Sequence, residues 1–169
     1  MISLMKKTLW FRLASLACCA LVLWTVQGMG LTLMQVKGPS MVPSYTDGQI
    51  LFVNRLAYGL QGPIIGQYLW FWKAPNSGDP VVVRRPASGD WVVKRVVGLP
   101  GMPVRINDHR LVLGDESVVL SPAQEYWLSS CSRVPDDAIF VLGDNLPRSQ
   151  DSRDWGFVPL GDVLGRSFF

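Results

Sequence analysis

Between Leu13 and Met34 the chain runs for 22 residues without a formal charge. A helix of that length reaches about 33 Å, against a bilayer hydrocarbon core of about 30 Å. The sequence therefore predicts one N-terminal transmembrane helix, with residues 1–36 as tail and anchor. Lys6 and Lys7 precede the run, and positive charge on that side puts the N-terminus in the cytoplasm and everything after about Lys37 across the membrane. A cleaved signal peptide, or a lipoprotein signal read on Leu16-Ala17-Cys18-Cys19, is the alternative. Against it, the run exceeds the usual apolar core of about 7–15 residues, and Cys18 fits poorly before a lipid-modified cysteine. The expected placement is single-pass in the cytoplasmic (inner) membrane, with residues 37–169 as one domain on its outer face.

Composition narrows what that domain does. Lys6, Lys7 and Arg12 carry the whole excess charge, because 13 basic residues and 13 acidic ones follow the anchor. No run of Lys and Arg there exceeds two, so no concentrated positive face is expected and nucleic acid is excluded as a partner. A chain with 49% hydrophobic residues and seven Trp buries enough surface to fold. Cys131 is the only cysteine beyond the anchor, so no internal disulfide framework is available. One His and no paired cysteines argue for no metal and no cofactor.

After the anchor, short runs of Val, Ile and Leu alternate with Gly, Pro, Asp and Asn, which reads as mostly β with antiparallel sheets. The expected strands are 49–54, 81–85, 91–97, 104–106 paired with 110–113 across Asn107-Asp108, 139–142 and 163–168. Tyr68-Leu69-Trp70-Phe71-Trp72 breaks the pattern. Five large apolar residues in a row make either a buried strand or an aromatic edge at the lipid interface.

Three segments carry candidate chemistry. In Gly38-Pro39-Ser40-Met41-Val42-Pro43, Ser40 stands just beyond the expected membrane exit, as a turn residue or a nucleophile. A nucleophilic Ser needs a base, and His109, the only His, falls at a hairpin tip, where a solvated side chain is expected. The second segment, Trp91 to Gly98, supplies a different base. With a period of two, Lys94 shares a strand face with Val92 and Val96 while Arg95 points the other way. Burial there lowers an amine pKa and makes it a general base; the alternative is a Lys snorkelling from a strand edge. The third segment, Gly143 to Gly156, is a dense polar loop in which Asp151 and Arg153 are spaced to pair. It reads as a turn network or as support for a site.

Together these segments resemble the type I signal peptidases, membrane-bound Ser/Lys endopeptidases. Gly38, Ser40, Met41 and Pro43 match the family's nucleophile box, and Gly78-Asp79-Pro80-Val81-Val82 is similar to its Gly-Asp-x-Val-Val box. Lys94, Arg95, Val96, Gly98, Pro100 and Gly101 match the lysine box. Gly143, Asp144 and Asn145, then Ser149, Asp151, Ser152, Arg153, Trp155 and Gly156, match the last box. The boxes occur in family order from Lys37 to Phe168.

The resemblance implies a catalytic β core that removes signal peptides from exported preproteins with small residues at −1 and −3, working at a lipid bilayer. Ser40 would be the nucleophile and Lys94 the general base. Ser149 would orient the lysine amine, with Asp151, Arg153, Asp144 and Asn145 in support and the Ser40 backbone N–H in the oxyanion hole. Many members carry a hydroxyl where this chain has Gly38, and Pro39, Met102 and Leu146 also depart from the pattern. The short chain leaves room only for a small accessory region, expected within Gly114 to Asp137. The rival readings are an inactive membrane-anchored binding protein of the same fold, and a self-cleaving Ser/Lys peptidase of the repressor type. An anchor in place of a DNA-binding head disfavours the latter.

Overall fold

A computed structural model describes residues 12, 15–18, 30–62, 68–86 and 88–168. In chain order the strands are β1 (Leu31–Gln35), β2 (Ile50–Asn54), β3 (Gly59–Gln61), β4 (Tyr68–Phe71), β5 (Pro80–Arg84), β6 (Trp91–Gly98), β7 (Arg105–Asn107), β8 (Arg110–Leu113), β9 (Glu116–Val119), β10 (Ala138–Leu142), β11 (Val158–Pro159) and β12 (Val163–Phe168). Two short helices, α1 (Pro122–Leu128) and α2 (Ser152–Trp155), stand among them. The fold is mostly β, as the alternating runs predict.

Seven strands form one antiparallel sheet in the order β1-β2-β12-β5-β6-β10-β11. Its centre is β5, where Val81, Val82 and Val83 are all completely buried, a fitting place for three consecutive β-branched residues. Val82 packs with Leu51, Val53, Met41 and Tyr45, while Val81 and Val83 face Val96, Ile139, Val141 and Tyr58. Apolar packing thus covers both faces of the sheet, and the segment carrying Ser40 is held to one of them by Met41 and Tyr45.

The accessory region expected within Gly114 to Asp137 begins earlier, at Arg105, because β7, β8 and β9 pair in one meander, which α1 follows. Its core, with Leu111, Leu113, Val118 and Leu128, is continuous with Val97, Phe140 and Leu142 of the large sheet. The β7–β8 turn is Asp108-His109, both at positive φ, as a two-residue hairpin with the right-handed strand twist requires. The turn lies one residue beyond the expected Asn107-Asp108. Helix α1 begins at Pro122 after Ser121, whose side chain closes a capping box with Gln124, a start signal that the strand reading passed over.

The expected anchor helix and domain boundary differ from this arrangement at one end. Leu31-Thr32-Leu33-Met34-Gln35 is not helix but β1, pairing with β2 from Leu31↔Asn54 to Gln35↔Ile50. The sheet therefore begins before position 37. An uncharged apolar run reads alike for a membrane helix and for a strand with one covered face, so charge alone could not place the junction. Of the rest of the expected span, residues 15–18 are helical and 13, 14 and 19–29 lie outside the described residues. Among the described residues no helix is long and apolar enough to cross a membrane. Tyr68–Phe71 is a strand, paired with β3, but an exposed one: Leu69 and Trp70 are 65% and 71% accessible. The buried alternative for this segment is thereby corrected.

Candidate active site

Ser40 lies in a tight turn after Gly38, which has φ 82° and whose N–H donates to Asp47 Oδ1 at 2.7 Å. Beyond it, Tyr45 N–H donates to Met41 O at 2.9 Å, and Met41, 1% exposed, pins the turn into the core. The 143–145 segment holds the same turn from the other side. Asn145 N–H donates to Ser40 O at 3.0 Å, and Asn145 Nδ2 to Pro39 O at 3.1 Å. The main chain at Ser40 is therefore fixed by a segment more than a hundred residues away.

Lys94 stands on β6 opposite Val81 and is 2% exposed. Its Nζ donates to Ser149 Oγ at 2.9 Å. Burial disfavours the ammonium form and pushes the amine down to about 8; Asp151 opposes this, while the positive charges of Arg85 and Arg153 add to it. At pH 7 about one amine in ten is then neutral, against about one in three thousand for an unperturbed lysine.

Ser149 is positioned by a buried ion pair. Asp151, fully buried, caps α2 and takes Arg153 Nε and Nη2 at 2.9 and 3.0 Å. The same Nη2 donates to Leu146 O at 2.9 Å and Ser149 O at 3.3 Å, which sets the path of the loop on either side of Arg148. Breaking such a pair by removing one partner costs about 3–5 kcal/mol. Asp151 Oδ2 also accepts from Gly143 N–H at 3.1 Å. Gly143 is the spacer between the Ser40 and Ser149 segments, because a Cβ built on it would overlap Ser149 Oγ and come within 2.5 Å of Ser40 O.

Asp144 does not face the lysine amine; it pairs with Arg95 on the opposite side of β6. Arg95 Nε and Nη2 meet its two oxygens at 2.7 and 2.6 Å, a bidentate geometry that resists rotation. Arg95 Nη1 further donates to Gly78 O at 2.8 Å and Nη2 to Ser44 Oγ at 3.1 Å. One guanidinium thus joins the turn before β5, the turn after Ser40 and the 143–145 segment.

The arrangement brings together all seven residues expected at the site: Ser40, Lys94, Ser149, Asp151, Arg153, Asp144 and Asn145. Ser40 and Lys94 line one cleft of about 680 Å³, bounded by Met34 to Val36 on one side and Trp91 to Val93 on the other. Sequence reasoning passed over Gly143 and Arg95, although both stand inside the boxes it matched. It also missed α1 as a brace, with Trp127 Nε1 donating to Arg153 O at 2.8 Å and Gln124 Nε2 to Asp154 Oδ1 at 2.7 Å. No local pattern marks those contacts, which join separate elements. His109 is remote from this cleft, exposed, and 2.6 Å from Glu125 Oε2.

A serine hydroxyl and a buried amine of lowered pKa thus share one cleft. The sequence model of the family described as Signal peptidase, peptidase S26, matches residues 8–169. The chain belongs to that family, and with it to the serine peptidases. It is 33% identical over 139 residues to a probable signal peptidase I-1 of Synechocystis, covering 79% of this chain and 67% of that one. To a signal peptidase I of Bacillus caldolyticus it is 33% identical over 150 residues, covering 79% and 75%. A crystal structure of a signal peptidase I from Enterococcus faecalis is 32% identical, covers 56% of this chain and 97% of its own, and superposes with a TM-score of 0.41. The chain spans between 59% and 67% of the length of the Synechocystis and Leptolyngbya laminosa relatives it matches.

Proposed function

We propose that the protein is a membrane-bound signal peptidase that removes N-terminal signal peptides from exported preproteins with a Ser40/Lys94 dyad. The observation that carries this reading is the Lys94 amine, buried, lowered to about 8 and held by Ser149 on the cleft that Ser40 also lines. In the neutral form Lys94 takes the Ser40 proton as Oγ attacks the scissile carbonyl, then gives it to the departing amine. Water, deprotonated by the same lysine, releases the acyl group. The Ser40 N–H supports the oxyanion. Gly38 has no side chain to add, and its N–H is taken by Asp47.

Two strand edges support an extended substrate. Among the described residues β1 pairs only with β2, and Trp91 to Val93 of β6 pair only with β5. Both border the cleft, so a peptide laid between them gains main-chain hydrogen bonds. Small residues at −1 and −3 fit the reading taken from the family resemblance.

The anchor reading places the N-terminus in the cytoplasm and the site on the outer face of the inner membrane. An apolar row supports contact with lipid: Leu33 of β1, Phe52 of β2 and Phe168 of β12 are cross-strand neighbours, all exposed, and Phe52 stacks on Phe168 at 5.9 Å. The exposed Trp70 and Trp72 are residue types that favour the membrane interface. Treating sealed, right-side-out vesicles with protease should digest the domain from outside; protection of the domain would overturn this topology.

The test of the activity is cleavage of a purified Ala-x-Ala preprotein at its signal junction by the full chain in detergent, with Ser40→Ala as control. Its pH profile tests the base. Only neutral Lys94 accepts the proton, so kcat/KM should rise about tenfold per unit at low pH and level off above the value of about 8 set by burial. A limb near 6, or none, would remove Lys94 as the titrating base.

A further inference from the structure

The cleft is more positive than the chemistry of Ser40 and Lys94 requires. Lys37, Arg85 and Arg148 also line it, and Asp90 is the one carboxylate among its lining residues. Among the described residues none of these three cations forms an ion pair. Arg85 is the most constrained of them. Its N–H donates to Asp90 O at 2.8 Å at the end of the β5–β6 hairpin, and its guanidinium lies 5.5 Å from the Trp155 ring centroid. Arg85 Nε and Trp155 Nε1 are both buried, and among the described residues neither has a hydrogen-bond partner. A buried donor without an acceptor is unfavourable, and on a cationic side chain that lines the cleft it marks a place for an acceptor that arrives with a ligand.

We propose that Arg85, backed by Trp155, binds a side-chain carboxylate of the substrate within a few residues of the scissile bond, with Arg148 and Lys37 adding to the attractive field. A carbonyl oxygen would satisfy one donor but leave the cationic lining uncompensated, whereas a carboxylate meets the guanidinium fork and the field together. This makes Arg85 a specificity-determining residue, and it rests on the reading of the cleft as a peptidase site. The contact exists before and during the reaction alike, so its effect belongs in KM.

The experiment uses the full chain in zwitterionic detergent and peptides with alanine at −1 and −3. Glu, Gln or Lys is placed singly at each other position within four of the cut. At one or two neighbouring positions Glu should exceed Gln in kcat/KM by about fivefold, the equivalent of one partly screened ion pair, and raised salt should shrink the ratio. Arg85→Gln should bring the ratio to about one, Arg85→Lys should keep most of it, and Arg85→Glu should turn the preference toward Lys. The loss of positive charge beside Lys94 slows all peptides together and cancels in the ratio, which a purely structural role would also leave unmoved. Equal rates for Glu and Gln at every position, or a preference that survives Arg85→Gln, would overturn the proposal. If the wild type cleaves no peptide, the peptidase reading fails instead. Fluorescence anisotropy of the same labelled peptides then decides the carboxylate site, through tighter binding of the Glu series or its absence.

Discussion

Ser40→Ala and Lys94→Met should each lower kcat/KM for a preprotein by about a thousandfold or more, and the double variant should be no slower than either one alone. In the proposed mechanism the two side chains act as a unit: without the hydroxyl there is no nucleophile, and without the amine nothing takes its proton. Methionine is the informative replacement at 94. The position is 2% exposed, so alanine would add a cavity to the loss of the amine, while methionine keeps most of the volume. Thermal unfolding of Lys94→Met separates a lost base from a lost fold. His109→Ala should retain the wild-type rate, since that ring sits exposed beside Glu125. A folded Lys94→Met that still cleaves would end the dyad reading, and so would loss of cleavage in a folded His109→Ala.

Gly143→Ala should cut kcat by about a hundredfold with little change in KM. The added Cβ overlaps Ser149 Oγ, the partner of Lys94, and reaches 2.5 Å from Ser40 O. Neither neighbour moves freely. Ser40 O accepts from Asn145 N–H at 3.0 Å, and the Ser149 backbone is held by Arg153. The strain therefore falls on the spacing between the reacting groups, while the strand edges that border the cleft are untouched. Overpacking of this kind costs about 1–3 kcal/mol of stability, visible as a lowered Tm. An unchanged kcat in Gly143→Ala would show that the gap between Ser40 and Ser149 is looser than the contacts require.

Much of the candidate site was readable because the residues proposed to react sit in short boxes of special backbone and polar residues, which hydrophobic patterning alone does not demand. The period-two argument on β6 assigned Lys94 and Arg95 to opposite faces, and they have opposite environments: Lys94 meets Ser149, and Arg95 meets Asp144. The strand runs at 50–54, 110–113 and 163–168 were legible for the same reason, since β-branched and apolar residues between turn formers have few other stable arrangements. β3, β9 and β11 were missed because they are short and their stability comes from the strands they pair with. The apolar run before Lys37 was read four residues too far as helix because composition there fits both states.

The sequence alone established the residue types and their order: a serine after Gly-Pro, a lysine inside a valine-rich strand, and an acid and an arginine spaced two apart in a polar loop. Those properties follow from local chemistry and a period of two. It did not establish what covers each face. Val92 and Val96 were expected to desolvate Lys94, and only the family resemblance, not any local pattern, pointed to Ser149, 55 positions along the chain, as the group that meets its amine. Ser149 is set by an Asp151–Arg153 pair that α1 supports through Trp127. A strand pattern specifies which side a residue points to and leaves open what packs there. Burial, which moves the Lys94 amine to about 8, belongs to the assembled sheet and loops, because it depends on water being excluded by segments distant in sequence.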